Sequence, residues 1–108
     1  MYGDEHYRQY VDIIIDYVEF DMRPFTLLLF GRAYNYMDKE TGRILVDTGV
    51  LCYECYMSTT MVGIVLDKLV GIGLLRKSLD DGKIAYYINK ERIATKKTAV
   101  KVVVDPTA

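Results

Sequence analysis

Apolar residues recur at helical spacing near the start of the chain. Tyr7, Tyr10, Val11, Ile14, Tyr17 and Val18 share one face, with Arg8, Asp12, Asp16 and Glu19 opposite. With Asp4 as a cap, the pattern predicts an N-terminal helix over 4–20. The β-branched run Ile13-Ile14-Ile15 fits an extended strand equally well. Asp21 offers a second N-cap, with Pro24 tolerated in the first turn. From Phe25 to Tyr36 the chain is apolar almost all round, which predicts a core helix, 21–37, buried centrally or between two subunits. Asp38 to Gly42 reads as a polar turn, and Arg43 to Val46 as one short strand.

In the middle of the chain, Asp47 caps a short helix running to about Glu54, Cys55-Tyr56-Met57 makes a break, and Ser58 caps a helix from Thr59 to about Ile72. Its apolar positions are Val62, Val65, Leu66, Leu69 and Ile72, spaced three and four apart, and Gly73 ends it. Leu75 to Ser78 and Lys83 to Asn89 read as two strands joined through Leu79-Asp80-Asp81-Gly82, where Asp-Gly between β-prone runs predicts a hairpin. Along the return strand Ile84, Tyr86 and Ile88 face one way, Ala85 and Tyr87 the other. After a polar stretch, Val100, Val102 and Val104 alternate as a final strand, stopped by Pro106. The expectation is one domain over 1–108: an N-terminal helix 4–20, a core helix 21–37, a helix pair 47–72, a hairpin 75–89 and a C-terminal extension 90–108.

A chain of 108 residues with 51% apolar content supports a single modest core, which a dimer interface would usefully supplement. The longest apolar run, Leu69 to Leu75, is far too short to span a membrane, and the N-terminus lacks the basic and apolar segments of a signal peptide. A cytoplasmic location without membrane contact, with reduced cysteines, is therefore expected. The net charge of −1 conceals an asymmetry. Residues 1–54 carry five basic and ten acidic side chains, whereas residues 55–108 carry nine basic and five acidic. A basic C-terminal half suits a polyanionic partner, although such imbalances also serve solubility alone.

The order of a helix, a turn, a serine-capped helix, Gly73-Leu74-Leu75 and a hairpin closing on Tyr86-Tyr87-Ile88 resembles the winged helix-turn-helix superfamily. Within it, the chain looks similar to MarR-type regulators and to the winged-helix domains of plasmid and phage replication initiators. The most specific pieces are Ser58-Thr59-Thr60-Met61-Val62, Leu66-Asp67-Lys68-Leu69 and Gly73-Leu74-Leu75, and the likeness covers roughly residues 21–89. The fold it implies is α+β: a helical core with a small antiparallel β-sheet wing. The function it implies is double-stranded DNA binding by a homodimer, as a transcription regulator or a replication or partition factor of a mobile element.

In such a module one helix enters a major groove about 12 Å wide. With Val62, Leu66 and Leu69 inward, Thr59, Thr60, Gly63, Ile64, Asp67 and Lys68 point outward. Ser58 and the first N–H groups of the helix favour a phosphate. Thr59 and Thr60 can bond phosphates or bases, and Gly63 permits close approach. Arg76, Lys77 and Lys83 can follow the DNA backbone. The expected DNA-binding set is thus Ser58, Thr59, Thr60, Gly63, Ile64, Lys68, Arg76, Lys77 and Lys83.

Two features depart from the superfamily pattern. The outward helix face has no arginine, the commonest base-reading residue, and Asp80 and Asp81 at the hairpin tip repel phosphates. Affinity would then rest on Arg76, Lys77, Lys83, Lys90, Arg92, Lys96, Lys97 and Lys101. The alternative is a protein-interaction adaptor that does not read bases, using Ile64 and Val70, which lie beyond the core stripe.

The remaining signals are weaker. Cys52 and Cys55 form one Cys-x-x-Cys, but zinc needs two further ligands and His6 is far along the chain, so structural cysteines, no metal and no cofactor are expected, with Cys52 facing inward. Most of the ten tyrosines suit core or interface packing; Tyr53, Tyr56 and Tyr87 are the better candidates for a DNA-facing hydroxyl. No glycine-rich phosphate loop or carboxylate cluster suggests an enzyme.

Overall fold

A computed structural model describes residues 5–93, with the side chain of Glu5 left aside. Among the described residues, four named α-helices and one antiparallel hairpin follow one another: α1 (Glu5–Tyr17), α2 (Arg23–Asn35), α3 (Thr48–Cys55), α4 (Thr59–Gly71), β1 (Leu75–Asp80) and β2 (Lys83–Ile88), with a 3-10 turn at Phe20–Met22 before α2. The class is α+β. The expected strand around Val100 to Val104 and the cap at Asp4 lie outside the described residues.

The isoleucine run resolves as helix because a 3.6-residue period sends two of its three members inward: Ile13 and Ile14 are fully buried and Ile15 is exposed. Tyr10 and Val18 complete the buried face. Tyr17, expected on that stripe, is instead 61% exposed; it lies in the last turn, where its ring meets the Arg92 guanidinium at 5.5 Å. α2 starts two residues later than expected, and Asp21 does not cap it but sits in the 3-10 turn. There Arg23 Nε donates to the Val18 carbonyl at 2.9 Å and Thr26 Oγ1 to that of Met22 at 2.8 Å. Within the single chain α2 buries one side. Leu29, Phe30, Ala33 and Tyr34 enter the core, while Phe25 and Leu28 are exposed. Tyr7, Tyr10, Phe30 and Tyr34 form an aromatic layer between α1 and α2, with centroids such as Tyr7–Tyr34 5.0 Å apart.

The strand expected at Arg43 to Val46 is reduced to isolated bridges, Met37 with Ile44 and Arg43 with Tyr87. Ile44 N–H donates to Tyr86 O, and Ile88 N–H to Gly42 O, so the segment touches β2 for two residues before Leu45 N–H turns to Tyr36 O. Successive N–H groups of an extended segment point opposite ways, so Ile44 bonds to β2 and Leu45 to the end of α2. Gly42 is required: its φ is +81°, and a Cβ there would lie 2.9 Å from Ile88 O.

Both central caps form as the sequence suggests. Val50 N–H donates to Asp47 Oδ1 at 3.1 Å and Met61 N–H to Ser58 Oγ at 3.1 Å. Between them α4 turns by 107° from α3. Cys55, not Cys52, is the buried cysteine of α3, and both are free thiols. Burial raises the Cys55 pKa. The hairpin turn is tighter than expected: β1 runs through Leu79 and Asp80, leaving Asp81-Gly82, with φ of 52° and 77°, as a two-residue turn that matches strand twist. Leu75 pairs with Ile88, and this end of the hairpin is anchored in the core. Beyond β2, Asn89 N–H donates to Leu74 O, Arg92 Nε reaches Ile72 O, and Ile93 is buried.

Candidate nucleic-acid interface

α4 has two unlike sides. Val62, Val65, Leu66 and Leu69 are buried against the other helices. Ser58, Thr59, Thr60, Gly63, Ile64, Asp67 and Gly71 are exposed. Beyond α4's own backbone, nothing lies within 4 Å of where a Cβ on Gly63 would stand, so a partner's backbone can approach closely there. Ile64 is 48% exposed in the same ridge. The N–H groups of the first turn of α4 give this end partial positive charge.

Lys68 stands apart from its companions. Its ammonium donates to Glu19 Oε2 at 2.8 Å, tying the flank of α4 to the end of α1. That bond is also the chief reason the Glu19 carboxyl is held below its ordinary pKa. Asp67, the charged residue left on the exposed ridge, is acidic. Val70 is half-buried and packs on the core, which removes it from the outward apolar pair expected with Ile64.

The hairpin supplies the cations. Arg76, Lys77 and Lys83 are all exposed. The register pairs Arg76 with Tyr87, Ser78 with Ala85 and Asp80 with Lys83, which puts these six residues on one face, since directly paired residues share a side. Arg43 joins that face through its bridge to Tyr87. Lys77, Leu79, Ile84 and Tyr86 belong to the other face.

Asp80 is not the bare phosphate-repelling acid that its place in the sequence suggests. Tyr87 Oη donates to Asp80 Oδ2 at 2.5 Å, Ser78 Oγ donates to Oδ1 at 2.8 Å, and Arg43 Nη1 lies 3.7 Å from Oδ2. The Tyr87 and Ser78 hydroxyls, with Arg43 and Arg76 adding attraction, hold the Asp80 carboxyl below its ordinary pKa. The same bond raises the Tyr87 phenol. Arg76 covers the Tyr87 ring at 4.8 Å. Sequence reasoning missed this network, although the alternation of Arg76, Ser78 and Asp80 about the Asp-Gly turn carries the signal.

Tyr53 and Tyr56 are the most exposed aromatics of the helix pair, at 82% and 94%. Tyr56 occupies the turn between α3 and α4 in the left-handed conformation, φ 55° and ψ 42°. Tyr36, near them in α3's surroundings, gives its hydroxyl proton to a hydrogen bond with Glu54, which raises its pKa.

Among the described residues, no group of three or more His, Cys, Asp or Glu side chains could hold a metal ion. No single described helix is long and apolar enough to cross a membrane. Comparison with family models, with curated proteins and with solved structures finds no match for this chain.

Proposed function

We propose that this chain is a winged-helix protein that binds double-stranded DNA, with α4 as the groove-entering helix and the hairpin as its wing. One observation carries the reading. The serine-capped start of α4 exposes Thr59, Thr60, Gly63 and Ile64 while its other side is locked into the core, so a rigid helix N-terminus stands free of the protein's own packing. The 107° turn between α3 and α4 lies in the range of helix-turn-helix units, and a tight hairpin follows directly.

In this arrangement Ser58 and the first N–H groups of α4 meet a backbone phosphate, and Thr59 and Thr60 reach phosphates or base edges. Arg76, Lys77 and Lys83 contribute charge from the wing, and Lys90 and Arg92 from beyond it. Lys68 stays with Glu19 and steadies the helix. Regulation, replication and partition of a mobile element all rest on this same contact chemistry.

The test is selection of bound duplexes from a random pool, followed by anisotropy titration at two salt concentrations. With about six phosphates neutralised, binding should weaken roughly a thousandfold between about 50 and 200 mM salt. A flat response to salt would overturn the reading.

A second reading, a protein-interaction adaptor, draws on Asp67 and Ile64 standing in the exposed ridge where an arginine would serve DNA. It requires that joint replacement of Thr59, Thr60 and Lys77 by Ala leave function intact while Ile64→Glu abolishes it. The DNA reading requires the first set to be the damaging one.

A further inference from the structure

The hairpin face that holds Arg76, Ser78, Asp80 and Tyr87 is an arranged set of donors. Tyr87 Oη, Ser78 Oγ and the Arg43 guanidinium converge on a single carboxylate, and that carboxylate is the chain's own Asp80. Arg76 sits over the Tyr87 ring, and Lys83 stands opposite Asp80 across the strands. Two guanidiniums, Arg43 and Arg76, act on this one carboxylate, and Lys83 adds a third positive charge to the same face. Asp81, exposed at the turn beyond the strands, subtracts from that field.

Two hydroxyl donors and a guanidinium are what a tetrahedral oxyanion needs: short charge-assisted bonds and one planar cation. A carboxylate satisfies the same donors with two oxygens. Asp80 reaches them at a small cost in entropy, because the hairpin already holds it two residues from Ser78 in the same strand.

We propose that Ser78, Tyr87, Arg43 and Arg76 form a phosphate site, which Asp80 occupies in the free protein and which a phosphate enters only by displacing that carboxylate. The site could take a nucleic-acid backbone phosphate or a free phosphate ion. Its use by DNA rests on the DNA-binding reading above; its affinity for phosphate does not. Displacement frees Asp80 towards solvent and transfers Arg43 to the incoming anion. The hairpin thus holds its own contact closed until a polyanion of sufficient charge arrives, which restrains weak, indiscriminate binding.

The experiment compares the full-length wild type with Asp80→Ser, which empties the seat, and Asp80→Asn, which keeps its shape without the charge. Thermal unfolding establishes that each is folded. Inorganic phosphate is titrated first, read by amide shifts of Arg43, Ser78 and Tyr87. Asp80→Ser should bind phosphate at least tenfold tighter than wild type, with shifts centred on those residues, and Asp80→Asn should fall between them. Adding Tyr87→Phe to Asp80→Ser should cancel most of the gain.

A short duplex forms the second arm. Asp80→Ser should bind it tighter than wild type, with a salt dependence steeper by about one phosphate contact. Equal phosphate affinity in all variants, or shifts mapping elsewhere, overturns the site. Weaker duplex binding by Asp80→Ser overturns the exchange and makes Asp80 a positioning residue for Arg43. If phosphate binding rises while neither protein binds duplex, the site stands and the DNA reading falls. If wild type binds duplex and Asp80→Ser gains nothing towards either probe, the DNA reading stands and the site falls.

Discussion

Tyr56 is the clearest single-residue conflict in the molecule. A bulky side chain in the left-handed region brings Cβ against the following carbonyl, at a cost of about 1–2 kcal/mol that glycine avoids. Its ring recovers little of this through burial, being 94% exposed. The conformation is imposed by the chain: Met57 N–H donates to Cys52 O at 3.1 Å and closes the end of α3, which Tyr56 must bridge to reach the Ser58 cap. Tyr56→Gly should therefore raise stability by about 0.5–1 kcal/mol, after allowing for the larger entropy of an unfolded glycine. The midpoint of chemical denaturation checks it, and a loss of stability would mean that the ring is packed. Under the proposed function the same substitution should weaken duplex binding, because an exposed, strained tyrosine beside the start of α4 is placed for contact rather than for folding.

Among the elements, those governed by local chemistry were legible and those governed by tertiary partners were not. Asp47 and Ser58 declared their helices because a short acceptor side chain before an apolar period satisfies orphan N–H groups whatever the tertiary setting. Asp81-Gly82 declared the hairpin for the same kind of reason, both residues tolerating positive φ. The segment at Arg43 to Val46 is shorter as a strand than its residues suggest because its pairing depends on tertiary partners, β2 on one side and the end of α2 on the other. The side chain of Lys68 misled because Glu19, 49 residues earlier, takes it. The hairpin also has a testable dependence on pH. Asp80 has a folded pKa below its ordinary 3.8, so its support is present above that value and is lost as pH falls through the lowered folded one. Tyr87 has a folded pKa above its ordinary 10.0, so its support is full below that value and is lost as pH rises through the raised one. Glu19 and Tyr36 shift in the same directions, so wild type must be measured against Tyr87→Phe. The difference in melting temperature between the two should hold steady between about pH 5 and 9 and shrink at both ends, given those ordinary values. A difference constant over the whole range would show that Tyr87 does not bond to the Asp80 carboxylate.

At the scale of the whole molecule the question is what covers Phe25 and Leu28. These exposed apolar residues lie along α2, with Phe20 exposed in the turn before it and Ile15 exposed on α1. Phe25 and Leu28 lie one turn apart on the same side of α2, and neighbouring exposed apolar side chains of this kind suit an interaction surface. A second copy is the simplest partner under the DNA reading, because a two-fold pair of α4 helices reads two half-sites about 34 Å apart. Light scattering should then give about twice the 12.4 kDa chain mass at micromolar concentration. The double variant Phe25→Asp and Leu28→Asp should give a single chain mass, and it should lose affinity for a duplex with two half-sites while keeping its affinity for one. Both substituted positions are already exposed, so the helical fold measured by circular dichroism should survive the change. A wild type that scatters as 12.4 kDa throughout would leave α2's outer face for another protein, and the half-site spacing would lose its geometric basis.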